Sequence, residues 1–366
     1  MFYHSLISDW NHGNAHFLRG IVTELICRGE TVEVYEPKNS WSFNNLIKAN
    51  GENALHEFHE YYPKLNSIRY DFEKLNLNKI LKDADLVIVH EWNEPELVNR
   101  IGNLRDKFRF KLFFHDTHHR IITDFKSISK YNLSNYDGVL AYGNVIRDLY
   151  LKHKLVKKAW TWHEAADVRL FHPMNKVEAP SDLIWIGNWG DDERTNELEE
   201  FLITPVKQLG LKCRVHGVRY PDSAIKKLKD AGIEYGSWLP NFKVPELFSR
   251  YRFTIHVPRK PYVEMLPGIP TIRPFEALAC GIPLISALWK DEERLFNSGK
   301  DFLIASSGEE MEALMKKIIE DDLLSANLSA NGIQTIRQRH TCTHRVDELY
   351  RICEMIAQNQ SEELWV

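Results

Sequence analysis

Arginine, proline and glutamate stand close together in the stretch Thr271 to Ser286, TIRPFEALACGIPLIS. The spacing predicts a short helix opened by Pro274 and closed by Gly281, with an apolar strand following at once. Unpaired N–H groups and the positive end of the helix dipole favour an anion at such a mouth, and Arg273 adds to that preference. Glu276, predicted inside the first turn, can accept hydrogen bonds from vicinal hydroxyls, as acidic residues do for ribose in dinucleotide folds. Phosphates at the mouth and a diol beside Glu276 describe a nucleotide. The plainer alternative is that Glu276 only complements the dipole.

Three further stretches carry chemistry, each after an apolar run. In GNWGDDERT (Gly187 to Thr195), Gly187, Asn188 and Trp189 form a turn that leads to Arg194, whose guanidinium suits bidentate phosphate recognition. These four residues are assigned to the nucleotide. SDWNHGNAH (Ser8 to His16) lets the backbone approach a ligand at Gly13 and offers Asp9 and His12 as bases. It lacks the GxGxxG spacing of a dinucleotide site. HDTHHR (His115 to Arg120) places His115, Asp116 and His118 at a strand end, where they are expected to contact substrate. Zinc is not expected, because His118 and His119 should point apart and no second ligand pair stands out. HEFHE (His56 to Glu60) has its histidines three apart and fails as a zinc-protease motif.

The elements that must position these residues alternate between short apolar runs and amphipathic ones. Candidate strands are FYHSLIS, TVEVYE, ADLVIVHE, FKLFFHD, YDGVLAYG and KKAWTWHE, then DLIWIGN, KCRVHGV, EYGSWL, RFTIHV, IPLISA and DFLIAS. Segments such as HFLRGIVTELICRG and ERTNELEEFLITPVKQLG read as the helices between them. Repeated β–α alternation predicts an α/β protein with two Rossmann-like domains built on parallel sheets. At 366 residues the chain exceeds one ordinary core. The join is placed in HEAADVRLFHPMNKVEAPSD (His163 to Asp182), giving domains 1–170 and 171–340 and a C-terminal helix, 341–366, that packs back on the first domain. The helical region from Glu309 should break near His340 to His344.

Composition narrows the function. With 43% hydrophobic and 27% charged residues, the chain reads as a globular protein without a membrane span. The net charge of -4 speaks against binding nucleic acid by bulk electrostatics. MFYHSLIS lacks the basic and apolar regions of a signal peptide, and five scattered cysteines suit reduced thiols in the cytoplasm.

These motifs, in this order, resemble the GT-B glycosyltransferases, and within them the family-four-like branch that includes the CgeB-like spore-maturation proteins. ADVRLFHP, IWIGNWGDDER, YGSWLPNFKVPELFSRYRFTIHVPR, RPFEALACGIPLIS and GIQTIRQRHTCTHRVDELYRI carry the resemblance through the second half. The first half matches only through Gly13, His16 and the helix ending at Gly29. The resemblance implies two Rossmann-like domains facing each other across a cleft, and transfer of a sugar from a nucleotide-diphosphate donor to an unidentified acceptor. It puts Glu276 on the ribose and Arg194 on the diphosphate. No cofactor or metal is expected beyond the donor. The family often has a second glutamate eight residues before the one matching Glu276, against the donor sugar; here Gly268 occupies that position. A nucleotide-sugar 2-epimerase and a non-catalytic nucleotide-sugar-binding protein remain the alternatives.

Overall fold

The computed structural model describes residues 1–175, 177–178 and 180–363. Lys176 and Ala179, within the expected join, and residues 364–366 of the expected last helix lie outside that set. The chain divides into two compact units, Met1–Glu164 with the segment from Cys342 onward, and Ala165–Thr341. The division thus lies at 164/165, where periodicity suggests 170/171.

In the first unit the strands are β1 (Val34–Pro37), β2 (Ser67–Tyr70), β3 (Leu86–His90), β4 (Lys111–Asp116), β5 (Gly138–Ala141) and β6 (Ala159–Thr161). β1 pairs with β2, and β3 to β6 pair in chain order, every ladder being parallel. Phe2 bridges Tyr35 and Val89, so the first residues lie between β1 and β3. The strand expected over FYHSLIS is therefore reduced to two isolated bridges at Phe2. Side chains satisfy the backbone beyond it: Leu6 N donates to the Glu36 carboxylate at 2.7 Å, and the carbonyls of Leu6 and Ile7 accept from Arg19 at 2.9 and 2.6 Å. The helix Ala15–Cys27 comes next, and the helix Cys342–Glu363 docks beside it. Arg28 pairs with Asp347 at 2.7 Å, and the Tyr350 hydroxyl donates to Glu30 at 2.8 Å.

The second unit has β7 (Ser181–Ile186), β8 (Cys213–His216), β9 (Glu234–Tyr235), β10 (Tyr251–His256), β11 (Leu284–Ala287) and β12 (Leu303–Ala305) in one parallel sheet, ordered β12-β11-β10-β7-β8-β9. Apolar residues such as Leu183, Trp185, Phe253, Ile255 and Ile285 are buried with Leu198, Leu202, Met311 and Met315 from the helices. Burial on both faces explains why these strands read as continuous apolar runs. The helix expected over ERTNELEEFLITPVKQLG is broken by a π-helical stretch, Glu199–Ile203, before Thr204–Leu209. Pro205 supplies the reason, since it has no N–H to continue the regular ladder. The expected break near His340 is present, between Asp322–Arg339 and Cys342–Glu363. A second break at Asp321 is marked by its carboxylate capping Leu324 N at 2.8 Å.

Candidate functional site

Both units share one strand arrangement. Counting the Phe2 bridge as a first strand, each runs third, second, first, fourth, fifth, with later strands beyond. Ligands in such sheets bind outside the carboxyl ends of the first and fourth strands, where the order reverses. In the second unit those strands are β7 and β10.

The loop after β7 turns through three successive left-handed residues: Gly190 at φ +95°, Asp191 at +48° and Asp192 at +66°. Such backbone costs roughly 1–3 kcal/mol at each non-glycine residue, so something must hold it. Arg194 does so. Its Nε donates to Trp189 O at 3.4 Å, its Nη2 to Asn188 O, and its Nη1 to Val257 O just past β10 at 2.8 Å. A Cβ at residue 190 would stand 3.0 Å from Nε, so the glycine is needed for the contact as well as for the angle. Arg194 is thus a clamp across the carboxyl ends of β7 and β10. Burial, and then the charges of Arg259 and Arg273, push its pKa down to about 9, which leaves it protonated at neutral pH. Arg259 pairs with Glu193 at 3.0 Å and Arg273 with Glu276. Arg194 itself donates to three backbone carbonyls and lies over the Trp185 ring, with no carboxylate bonded to it among the described residues.

Gly187, Asn188 and Trp189 shape this loop. A Cβ on Gly187 would meet the Trp185 ring at 2.7 Å. Asn188 Oδ1 accepts from Val218 N at 2.9 Å. Trp189 is buried, with its indole N–H on Thr195 Oγ1 at 3.0 Å.

The helix expected to open at Pro274 begins two residues earlier, running Ile272–Cys280 with Thr271 as its N-cap. Pro274 is tolerated there because first-turn N–H groups have no intrahelical acceptor. Glu276 therefore lies beyond the first turn and is fully buried. Its Oε1 accepts from Asn241 Nδ2 at 2.6 Å and its Oε2 from Arg273. His256, which ends β10, was missed by sequence reading, as were Arg259 and Asn241. Ser286 Oγ gives its proton to Ala287 O at 2.8 Å, so the His256 Nδ1–H donates to Ser286 at 2.9 Å. His256 Nε2 then accepts from Thr271, tying the helix start to the sheet. Burial, then Arg194 and Arg273, lower its pKa to about 3. The available signal was a histidine at the carboxyl end of the strand-like run RFTIHV. Gly268 adopts φ +90°, and a Cβ there would lie 2.7 Å from Glu293 Cγ.

In the first unit several expected site residues are structural. Asp9 is not a free base: it forms a buried ion pair with Arg19 at 2.9 Å, which fixes the loop. His12 is buried, with Nε2 at 3.1 Å from Ser5 O. His115 is buried rather than presented on a surface; its Nδ1 lies 2.6 Å from the Tyr3 hydroxyl, and burial lowers its pKa to about 3. Asp116 is also buried, accepting from the Tyr150 hydroxyl at 2.7 Å and His118 N at 2.9 Å. His118 is half-buried, and Gly13 is exposed. Contrary to expectation, the His118 and His119 rings do not point apart; their centroids are 4.0 Å apart. The cause is local: His119 Nδ1 lies 2.8 Å from Thr123 Oγ1 in the helix it caps, which turns its ring along the chain. Among the described residues, no group of three His, Cys, Asp or Glu side chains is arranged to hold a metal.

Residues 194–351 match the family model described as glycosyl transferase-like. Sucrose-phosphate synthase from Thermosynechococcus elongatus has a similar structure, at TM-score 0.65 and 14% identity, over 94% of each chain. HepE of Anabaena, solved with UDP-glucose, aligns at TM-score 0.62 and 12% identity, over 95% of this chain and 96% of its own. The fold is that of the GT-B glycosyltransferases. The T4 phage BGT, solved with UDP-glucose, has a similar structure as well, at TM-score 0.56 and 14% identity over 93% of each chain. No curated protein matches by sequence. No helix among the described residues is long and apolar enough to cross a membrane.

Proposed function

We propose that this chain is a glycosyltransferase that moves a sugar from a nucleotide-diphosphate donor to an acceptor. The observation that carries the reading is Arg194, a cation whose hydrogen bonds among the described residues all go to carbonyls at the β7–β10 switch point, with Arg259 and Arg273 close enough to depress its pKa. Charges that repel one another in the free protein are relieved by a diphosphate. The same charges then stabilise the leaving nucleoside diphosphate as its bond to the sugar breaks. The N-terminus of the helix Ile272–Cys280 adds its dipole. No divalent metal is required by this scheme, and activity is expected to survive EDTA. UDP is the first nucleotide to test, because HepE and the T4 phage BGT were solved with UDP-glucose.

Glu276 is assigned to the ribose hydroxyls, oriented by Asn241 and Arg273. His118 is the candidate base toward an acceptor hydroxyl, since it keeps exposure that His115 and Asp116 lack. The CgeB-like branch is the proposed subfamily, supported by the order of motifs. A cytoplasmic location is supported by five cysteines that are all free thiols.

The test is a melting screen against UDP, GDP, ADP, TDP and CDP, followed by mass spectrometry of the matching nucleotide sugars for slow hydrolysis. A ligand at 100 times its dissociation constant should stabilise the fold by about 2.7 kcal/mol. Absence of any shift rejects the reading. Binding without turnover of any nucleotide sugar leaves a binding protein, and a new nucleotide sugar without acceptor marks an epimerase.

A further inference from the structure

Trp92 stands just past β3, beside the switch point of the first unit, and is 45% exposed. Its indole donates no hydrogen bond within the described residues. Such a side chain is usually mobile, but here it is held. The Arg120 guanidinium carbon lies 4.1 Å from the ring centroid, and Arg120 is fixed by the fully buried Glu91 through bonds of 3.0 and 2.8 Å. The His118 ring meets the indole at 75° with centroids 5.2 Å apart, and the His4 ring lies 6.5 Å away at 49°. His4 makes no hydrogen bond within the described residues and sits 5.4 Å from His12. A half-exposed indole stacked on a fixed arginine and bordered by two imidazoles does not contribute to a core.

We propose that Trp92, flanked by His4 and His118, is the platform on which this chain seats a neutral sugar ring, so that its acceptor is an uncharged carbohydrate or glycoside. The flat indole matches the C–H face of a pyranose. A neutral imidazole has one donor and one acceptor nitrogen, as a hydroxyl has both capacities. A phosphorylated or nucleic-acid acceptor would require uncompensated positive charge, and this surface has little. Arg120 is ion-paired with the buried Glu91 at 2.8 Å. Burial holds His4 neutral, with a pKa lowered to about 4, and also lowers that of His12 behind it. The inference rests on the transferase reading for the chemical step, but binding is measurable without a donor.

The experiment uses the full chain labelled with 5-fluorotryptophan, with the Trp92 fluorine resonance assigned from Trp92→Phe. The probes are maltose, cellobiose, lactose and methyl glucoside, with glucose 6-phosphate and a short DNA duplex as charged competitors. The neutral saccharides are expected to shift the Trp92 resonance saturably. Trp92→Ala should weaken saccharide affinity at least tenfold, measured by calorimetry. Trp41→Ala, which removes another exposed tryptophan of the same unit, 46% exposed, should leave it unchanged. The proposal is overturned if no neutral saccharide moves the resonance, if a charged probe moves it more, or if Trp92→Ala binds as wild type does. UDP melting on the same protein separates the two readings. Saccharide binding without UDP binding removes the donor assignment alone, and the reverse removes this one alone.

Discussion

The two units present opposite chemistry at the same place in the same strand order. At the switch point of the second unit, Arg194 hydrogen-bonds only to carbonyl oxygens among the described residues, with Arg259 and Arg273 near it. In the first unit the comparable cations are ion-paired. Arg19 pairs with Asp9 and Arg120 with Glu91, and the buried imidazoles of His12, His90 and His115 are held neutral. Strand order therefore sets where a ligand goes, while the pairing of buried charges sets what kind it is.

The largest effect expected from breaking this contrast is on stability. Asp9→Ala strands Arg19, which is fully buried, and removal of one partner of a buried pair costs about 3–5 kcal/mol. Denaturant titration should show that loss; a variant as stable as wild type would return Asp9 to the candidate bases. A smaller effect is expected on the ligand side. Arg194→Ala should weaken UDP binding by about 1.5–3 kcal/mol, the range for bonds to a charged group, while uridine binding is spared. Equal losses for both ligands would mean that Arg194 only holds its loop.

Glu276→Ala sharpens the assignment within the second unit. The variant releases Arg273, which favours the diphosphate, yet it removes the acceptor of the ribose hydroxyls. The preference for UDP over 2′-deoxy-UDP should therefore fall by about 1.5–3 kcal/mol even if total affinity changes less. If wild type and variant discriminate equally, Glu276 serves the arginine alone.

Acid provides the finest comparison. His115 titrates near 3 in the fold and near 6.5 unfolded, so the unfolded chain binds its proton first as pH falls. Its contribution is present above 6.5 and lost progressively down to about 3, at roughly 1.4 kcal/mol per pH unit. Wild type should lose stability relative to His115→Gln at that rate below pH 6. Parallel curves for the two proteins would contradict the buried, neutral imidazole.

Most of the sheet was legible because apolar runs buried on both faces announce themselves. Every candidate run except FYHSLIS forms a strand, from TVEVYE to DFLIAS. β2 was missed because SIRY pairs only with β1 and leaves Ile68 45% exposed, so no apolar run marks it. Arg194 and Arg273 were legible from turn and helix signals. Arg259 and Asn241 were not, because no local spacing reveals a partner brought from another element.

The sequence alone determined the two β–α series, the glycines that the β7 loop and the end of the helix Ile272–Cys280 require, and the candidate ion-binding residues. These arise from local sterics and burial, which depend on neighbours along the chain. Only the tertiary structure decided which polar groups are spent on the fold. Asp9 is consumed by Arg19, and Asp116 by Tyr150 and the backbone of His118. Arg194, by contrast, has no carboxylate hydrogen-bonded to it among the described residues. The physical reason is that a charge's role depends on what surrounds it in space, and those surroundings come from strands far apart in the chain.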